Sequence, residues 1–179
     1  VVDGFGDRST ASISQVIDQS EINELWECPY PISLGLFYSS ITDYLGFAIN
    51  EGEYKVMGLS SYGNSTSESA RLVSNLMGWD SNSHQLISDM SYFDYHLSIT
   101  NSYSSKLEEL LGPARNPFIP LVPGDSDFQR CADIARGAQD LVVFLLGKIF
   151  NHAHKLTNSR RFLFSGGVSM NSASIDHIA

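Results

Sequence analysis

The chain has 179 residues, 42% of them hydrophobic and 17% charged, enough apolar material for one substantial core and too much for disorder. Its formal charge of -9, from 20 acidic and 11 basic side chains without a Lys/Arg run, argues against nucleic acid or an anionic membrane as partner. Two cysteines, Cys28 and Cys131, stand far apart with no CxxC pairing, no stretch approaches the roughly 18 apolar residues of a membrane span, and no signal peptide opens the chain, so a cytoplasmic protein is expected.

In chain order, the first predicted elements are β structure. Asp3-Gly4-Phe5-Gly6-Asp7 reads as a tight turn leading into a strand through Ala11, Ile13 and Val16, a polar turn near Asp18-Gln19-Ser20, and a return through Ile22, Leu25 and Trp26. The opening is thus a short antiparallel meander that Pro29 and Pro31 end. Ser33 is positioned to cap a helix through Leu34, Phe37, Tyr38, Ile41 and Leu45 that stops near Gly46. A second amphipathic helix is predicted over 65–80, with Ala70, Val73, Leu76 and Met77 on one face.

Residues 81–124 combine an aromatic cluster (Tyr92, Phe93, Tyr95, with His96), a helix from about Asn101 to Leu111, and a loop marked by Pro117, Pro120 and Pro123; they read as an inserted cap. Asp125 to Lys155 is the clearest long helix, its apolar stripe running from Ile134 to Ala153. Arg161 to Ser165 reads as a short central strand, Gly166-Gly167 as the turn after it, and Ser169 onward as a further helix. Val1 falls inside a strand and Ala179 inside a helix, so a piece of a longer protein is expected.

Three glycine-marked segments could surround one nucleotide. In Gly52-Glu53-Tyr54-Lys55-Val56-Met57-Gly58-Leu59, closed by Tyr62-Gly63, two opposite charges stand among glycines and apolar residues. Spaced by two, Glu53 and Lys55 share a face on a strand and diverge on a helix. Lys55 could meet a phosphate and Glu53 a ribose or acceptor hydroxyl; the competing reading is a surface ion pair. Ser165-Gly166-Gly167-Val168 would turn backbone N–H groups toward a ligand, with Asn171 adding an amide, against an ordinary packing turn. Asp3 flanks Gly4 and Gly6 where a carboxylate could meet a metal, against an Asx turn closing on its own backbone. His152 and His154 diverge on a helix, and His84, His96 and His177 are isolated in sequence, so a histidine metal pair is not expected.

The order of these motifs resembles the carbamoyltransferases of the nodulation and antibiotic-biosynthesis family. DGFGD at Asp3 to Asp7, PYPISLGLFYSSITDYLGF at Pro29 to Phe47, GEYKVMGLSSYG at Gly52 to Gly63, YFDYH at Tyr92 to His96 and FSGGVSMN at Phe164 to Asn171 carry the likeness over nearly the whole chain. The resemblance implies an α/β, actin-like ATPase (ribonuclease H-like) fold with a mixed sheet and flanking helices, of which residues 1–179 would be part, the second half, with the cap at about 81–124. Gly4 and Gly6 would belong to a phosphate loop, and Gly166 and Gly167 to an adenosine loop. Glu53, Lys55, Gly58 and Asn171 would help position ATP or carbamoyladenylate, and Asp3 would be one ligand of a divalent metal, iron or magnesium-like, whose other ligands lie outside this piece.

It further implies a two-step enzyme. A YrdC-like domain in the same full-length chain would join carbamoyl phosphate to ATP, and the actin-like domain would pass the carbamoyl group to a hydroxyl of a sugar, antibiotic or Nod-factor-like acceptor. The fragment alone would be inactive, and its uncovered surface could support a homodimer. An ATP-dependent sugar or acyl kinase and a non-catalytic module of the same fold are the alternatives. The chain departs from the family at Ser60-Ser61, where Ala-Pro is usual, at Asp7, where Glu is common, and at Ile175-Asp176, where Asn-Gly is usual.

Overall fold

β1 (Ser9–Val16) and β2 (Ile22–Pro29) pair antiparallel, as the apolar alternation predicts, with Ala11 opposite Cys28 and Ile13 opposite Trp26. These four side chains are buried, while Val16 and Ile22 at the open end of the hairpin are exposed. Val2 bridges Ala11 from the other side, completing the expected meander. The computed structural model describes residues 1–6, 8–17 and 21–178; Asp7 and the turn at Asp18-Gln19-Ser20 lie outside the described residues.

Ser33 caps α1 (Leu34–Tyr44) as expected, its Oγ accepting from Leu36 N at 3.1 Å. The same hydroxyl donates to Gly4 O at 2.7 Å, so the helix start is tied to the first glycine turn. At the far end Gly46, with φ of +69°, breaks the helix, and the buried Arg115 guanidinium donates to Leu45 O and Gly46 O. α2 (Glu53–Ser60) follows, which settles the open question about Glu53 and Lys55: on a helix they diverge.

The helix predicted over 65–80 is shorter than expected. α3 (Glu68–Ser74), capped by Ser67, ends at Asn75, and β3 (Met77–Asp80) then pairs antiparallel with β4 (Gln85–Ser88). The physical reason is the turn that follows: Asp80 accepts from Asn82 N, Ser83 N and Ser83 Oγ, closing a hairpin that competes with further helix. Met77 is buried in the hairpin just as the helical stripe had it buried, so periodicity over four residues does not separate the two states.

Residues 81–124 contribute Leu86, Phe93, Leu107 and Leu111 to the same core as the rest of the chain. The helix expected from about Asn101 is α4 (Ser105–Leu111). α5 (Ser126–Thr157) is the predicted long helix; at 32 residues it backs α1, α2 and α3 through Ile134, Leu141, Leu145 and Ile149. Burying each such side chain contributes about 1.5–3 kcal/mol.

Arg161 to Ser165 is not a buried central strand. Leu163 is 94% exposed, and the neighbouring backbone contact is a bond from Val2 N to Ser165 O. Phe162 and Phe164 instead set their rings edge-on against Phe150 of α5, 5.5 and 5.3 Å between centroids. A strand needs a laddered neighbour, and among the described residues only Val2 runs alongside. The chain then passes through the 3-10 turn Gly167–Met170 into α6 (Ser172–Ile178). Among the described residues no helix is long and apolar enough to cross a membrane.

Candidate functional site

The first and last glycine turns meet across the backbone of Val2. Val2 N donates to Ser165 O at 2.9 Å and Val2 O accepts from Val168 N at 3.3 Å. Gly166, with φ of +97°, stands so close that a Cβ there would lie 2.2 Å from Val2 O. Only glycine meets both conditions. A Cβ on its neighbour Gly167 would lie 3.0 Å from Asp3 Oδ1, so the Asp3 carboxylate faces that turn. Asp3 Oδ1 also accepts from Gly4 N at 2.7 Å, a bond to the next residue rather than the two-residue reach of an Asx turn.

The start of α1 closes against the same place. A Cβ on Gly35 would come within 2.5 Å of Gly4 N, so the backbones of the helix and the turn touch. The α2 start enters from the other side through Glu53. Its Oε1 accepts from Ser39 Oγ at 2.9 Å and Asn50 N at 3.0 Å, and its Oε2 from Gly52 N at 3.2 Å. A carboxylate in the first turn of a helix is favoured by the helix dipole, and here it also clamps α2 to α1.

Between these elements lies a cavity of about 540 Å³. Asp3, Gly4 and Phe5 form one wall, Gly35, Tyr38 and Ser39 of α1 the floor, Asn50, Glu53, Tyr54 and Met57 a second wall, and Gly167, Val168 and Asn171 a third. The size is that of a small-ligand pocket. Phe5 and Tyr54 are each about two-thirds exposed at its edge, 66% and 65%, and so offer flat apolar surface to an occupant.

Of the site residues read from sequence, Asp3, Gly4, Glu53, Gly167 and Asn171 line this cavity. Gly166 stands behind it, holding the turn against Val2. Gly6 closes its own turn, where a Cβ would meet Ser9 O at 2.6 Å. Lys55 is exposed on the diverging face of α2, its Nζ 5.7 Å from the Phe47 ring and 5.8 Å from the Tyr54 ring. Gly58 is exposed with no neighbour within 4 Å of an added Cβ. Gly63, in the same motif, serves packing: a Cβ would lie 2.2 Å from Ala132 O of α5.

Among the described residues, the charged side chains lining the cavity are Asp3 and Glu53, and no Lys, Arg or His lines it. The wall is therefore acidic, and an anionic group within it would depend on backbone N–H donors or on cations from elsewhere in a longer protein. Nor do the residues present fit a divalent metal by themselves. Asp3 supplies one carboxylate, already engaged by Gly4 N, and among the described residues no group of three His, Cys, Asp or Glu side chains could hold an ion.

Sequence reasoning missed the network behind the third wall. Gln139 of α5 is 6% exposed. Its Oε1 accepts from Tyr38 Oη and Asn171 Nδ2, and its Nε2 donates to Asn171 Oδ1 and Ser174 Oγ, all at 3.0 Å. Burial, the largest cause, raises the Tyr38 phenol well above its ordinary range; the nearby Asn171 amide acts against this and the Glu53 charge with it. The available signal was one amide at an inward position among Ile134, Ala138, Leu141 and Val142. Also missed was a pairing of histidines far apart in sequence: the rings of His84, on the hairpin turn, and His152, on α5, lie 4.6 Å apart beside Trp79 and Trp26.

A family model described as Carbamoyltransferase N-terminus matches residues 1–177. The chain is 32% identical over 171 residues to the uncharacterized protein sll1178 of Synechocystis sp., covering 95% of this chain and 26% of that protein. It is 27% identical over 171 residues to Nodulation protein NolNO of Sinorhizobium fredii, covering 95% of this chain and 22% of that protein. The chain thus spans about a quarter of the length of the curated relatives it matches.

Proposed function

Because the chain belongs to the Carbamoyltransferase N-terminus family, we propose that it is part of the actin-like domain of an O-carbamoyltransferase. The donor would be carbamoyladenylate, made from carbamoyl phosphate and ATP by a YrdC-like domain of the same polypeptide, and the acceptor a hydroxyl of a small molecule. The observation that carries this reading is the convergence of the Asp3-Gly4 turn, the Gly167–Asn171 turn and the α2 start on one cavity of about 540 Å³. Motifs from opposite ends of the chain meet there, which suits a ligand gripped from several sides.

Within that reading the residues have distinct tasks. Gly4, Gly35 and Gly167 keep side chains away from the floor and walls, leaving backbone for close approach. Phe5 and Tyr54 offer apolar faces to a base or sugar. Asp3 and Glu53 accept from hydroxyl donors, and Glu53 in addition fixes the spacing of α1 and α2. The acidic wall suits hydroxyl and amino groups better than unshielded phosphates, so the phosphate end of the donor would face the opening or the rest of the protein. Any divalent metal would take most of its ligands from outside residues 1–179.

The test is product analysis on the full-length protein incubated with ATP, with and without carbamoyl phosphate, resolving pyrophosphate from ADP. Pyrophosphate that forms only with carbamoyl phosphate supports the proposal. ADP formed without carbamoyl phosphate refutes it in favour of a kinase, and neither product, with a melting temperature unmoved by millimolar ATP, in favour of a non-catalytic module.

A further inference from the structure

Gln139 touches no face of the cavity, yet it holds two residues that do, Tyr38 and Asn171. Its amide is fully used: both oxygen lone pairs accept, from Tyr38 and Asn171, and both nitrogen hydrogens donate, to Asn171 and Ser174. The orientation of the set is fixed by a backbone group. Ser174 N, which can only donate, shares its hydrogen between Asn171 O at 3.0 Å and Asn171 Oδ1 at 3.2 Å. That makes the facing atom of Asn171 its oxygen, places Asn171 Nδ2 against Gln139 Oε1, and leaves Tyr38 to donate its hydroxyl proton to the same Oε1.

We propose that Gln139 is a positioning residue for the ligand site, locking the Asn171 amide so that Asn171 can act toward the cavity only as a hydrogen-bond donor. Both lone pairs of Asn171 Oδ1 are taken, by Gln139 Nε2 and Ser174 N, so a ligand atom meeting this side chain must be an acceptor, such as a ring nitrogen, a carbonyl or a hydroxyl oxygen. The inference rests on the reading of the cavity as a nucleotide site, and it adds a selectivity that the glycine turns do not supply. Freed from Gln139, the Asn171 amide would be held only by its share of the Ser174 N hydrogen and could rotate to present either end, and Tyr38 would lose its acceptor.

The test uses the full-length protein and titration calorimetry with adenosine and ATP. Gln139→Met, which keeps length and loses both polar ends, is expected to weaken adenosine binding about tenfold, the effect of one lost hydrogen bond of good geometry. Gln139→Glu keeps an acceptor for Asn171 Nδ2 and Tyr38 but sets a buried carboxylate oxygen against Asn171 Oδ1, and is expected to weaken adenosine binding at least as much as Gln139→Met. The Gln139→Met, Asn171→Ala double variant should bind no worse than Asn171→Ala alone, because the two act through one contact. Asn171→Asp, which offers only acceptors, should bind more weakly than Asn171→Ala, and this holds as a test even if Gln139→Met fails to fold. A wild-type protein that binds neither ligand overturns the nucleotide reading and this one with it. Wild-type binding matched by Gln139→Met, additive losses in the double variant, or an Asn171→Asp variant that binds as well as Asn171→Ala removes the positioning role alone.

Discussion

Replacing Glu53 separates a structural clamp from a ligand contact. The carboxylate accepts from Ser39 Oγ, Asn50 N and Gly52 N at 2.9, 3.0 and 3.2 Å and sits in the first turn of α2. A fully buried hydrogen bond to a charged group contributes about 1.5–3 kcal/mol, but Glu53 is half-buried, and water would replace much of what a variant loses. Discounted accordingly, the three contacts together contribute about 1–1.5 kcal/mol, and the charge at the helix start about 0.5 more. Glu53→Ala should therefore cost about 2 kcal/mol and lower the melting temperature. Glu53→Gln retains Oε1 as acceptor for Ser39 and Asn50, loses the charge and the Gly52 contact, and should cost about half as much. Calorimetry of the full-length protein measures both. An unchanged melting temperature in Glu53→Ala, accompanied by lost nucleotide binding, would refute the clamp and make Glu53 a ligand contact only.

The two glycines of the GEYKVMGLSSYG segment should respond with opposite signs. Gly58→Ala, at an exposed position inside α2 with open space around it, should stabilise by about 0.5–1 kcal/mol and leave ligand binding unchanged. Gly63→Ala, whose Cβ would lie 2.2 Å from a backbone oxygen of α5, should destabilise by about 1–3 kcal/mol, read from urea midpoints of the two variants. For His152, burial first, then the neighbouring His84 and Lys155, lower its pKa below the ordinary value of 6.5. A base with a depressed folded-state pKa binds fewer protons folded than unfolded, so stability is lost as pH falls from about 6.5 to the folded value, and is level below it. His152→Phe, which keeps a ring against Trp26 and Trp79, should flatten this slope in urea titrations between pH 7.5 and 5; an unchanged slope would assign it to other groups.

Local chemistry written in consecutive residues was legible without the fold. Alternation set the Ser9–Pro29 hairpin, Ser33 and Gly46 bracketed α1, and the apolar stripe set α5, because each depends on neighbours within a turn or a pleat. The glycine segments at Asp3-Gly4 and Gly166-Gly167 also marked two walls of the candidate cavity, and the backbone at Gly166 approaches Val2 more closely than any Cβ allows. Matters that depend on distant partners were not legible. Met77 suits a helix face and a strand face equally, and the Asp80 turn decided between them. Phe162 to Phe164 have the composition of a central strand, but strand state requires a laddered neighbour, and here the rings met Phe150 instead. The sequence by itself determined which segments could approach a ligand; only the tertiary structure decided that Glu53 turns inward while Lys55 turns out, because a helical step of about 200° over two residues separates them. It alone brought Gln139 beside Asn171, 32 residues apart, since reciprocal amide bonds depend on distances and angles that no local pattern records.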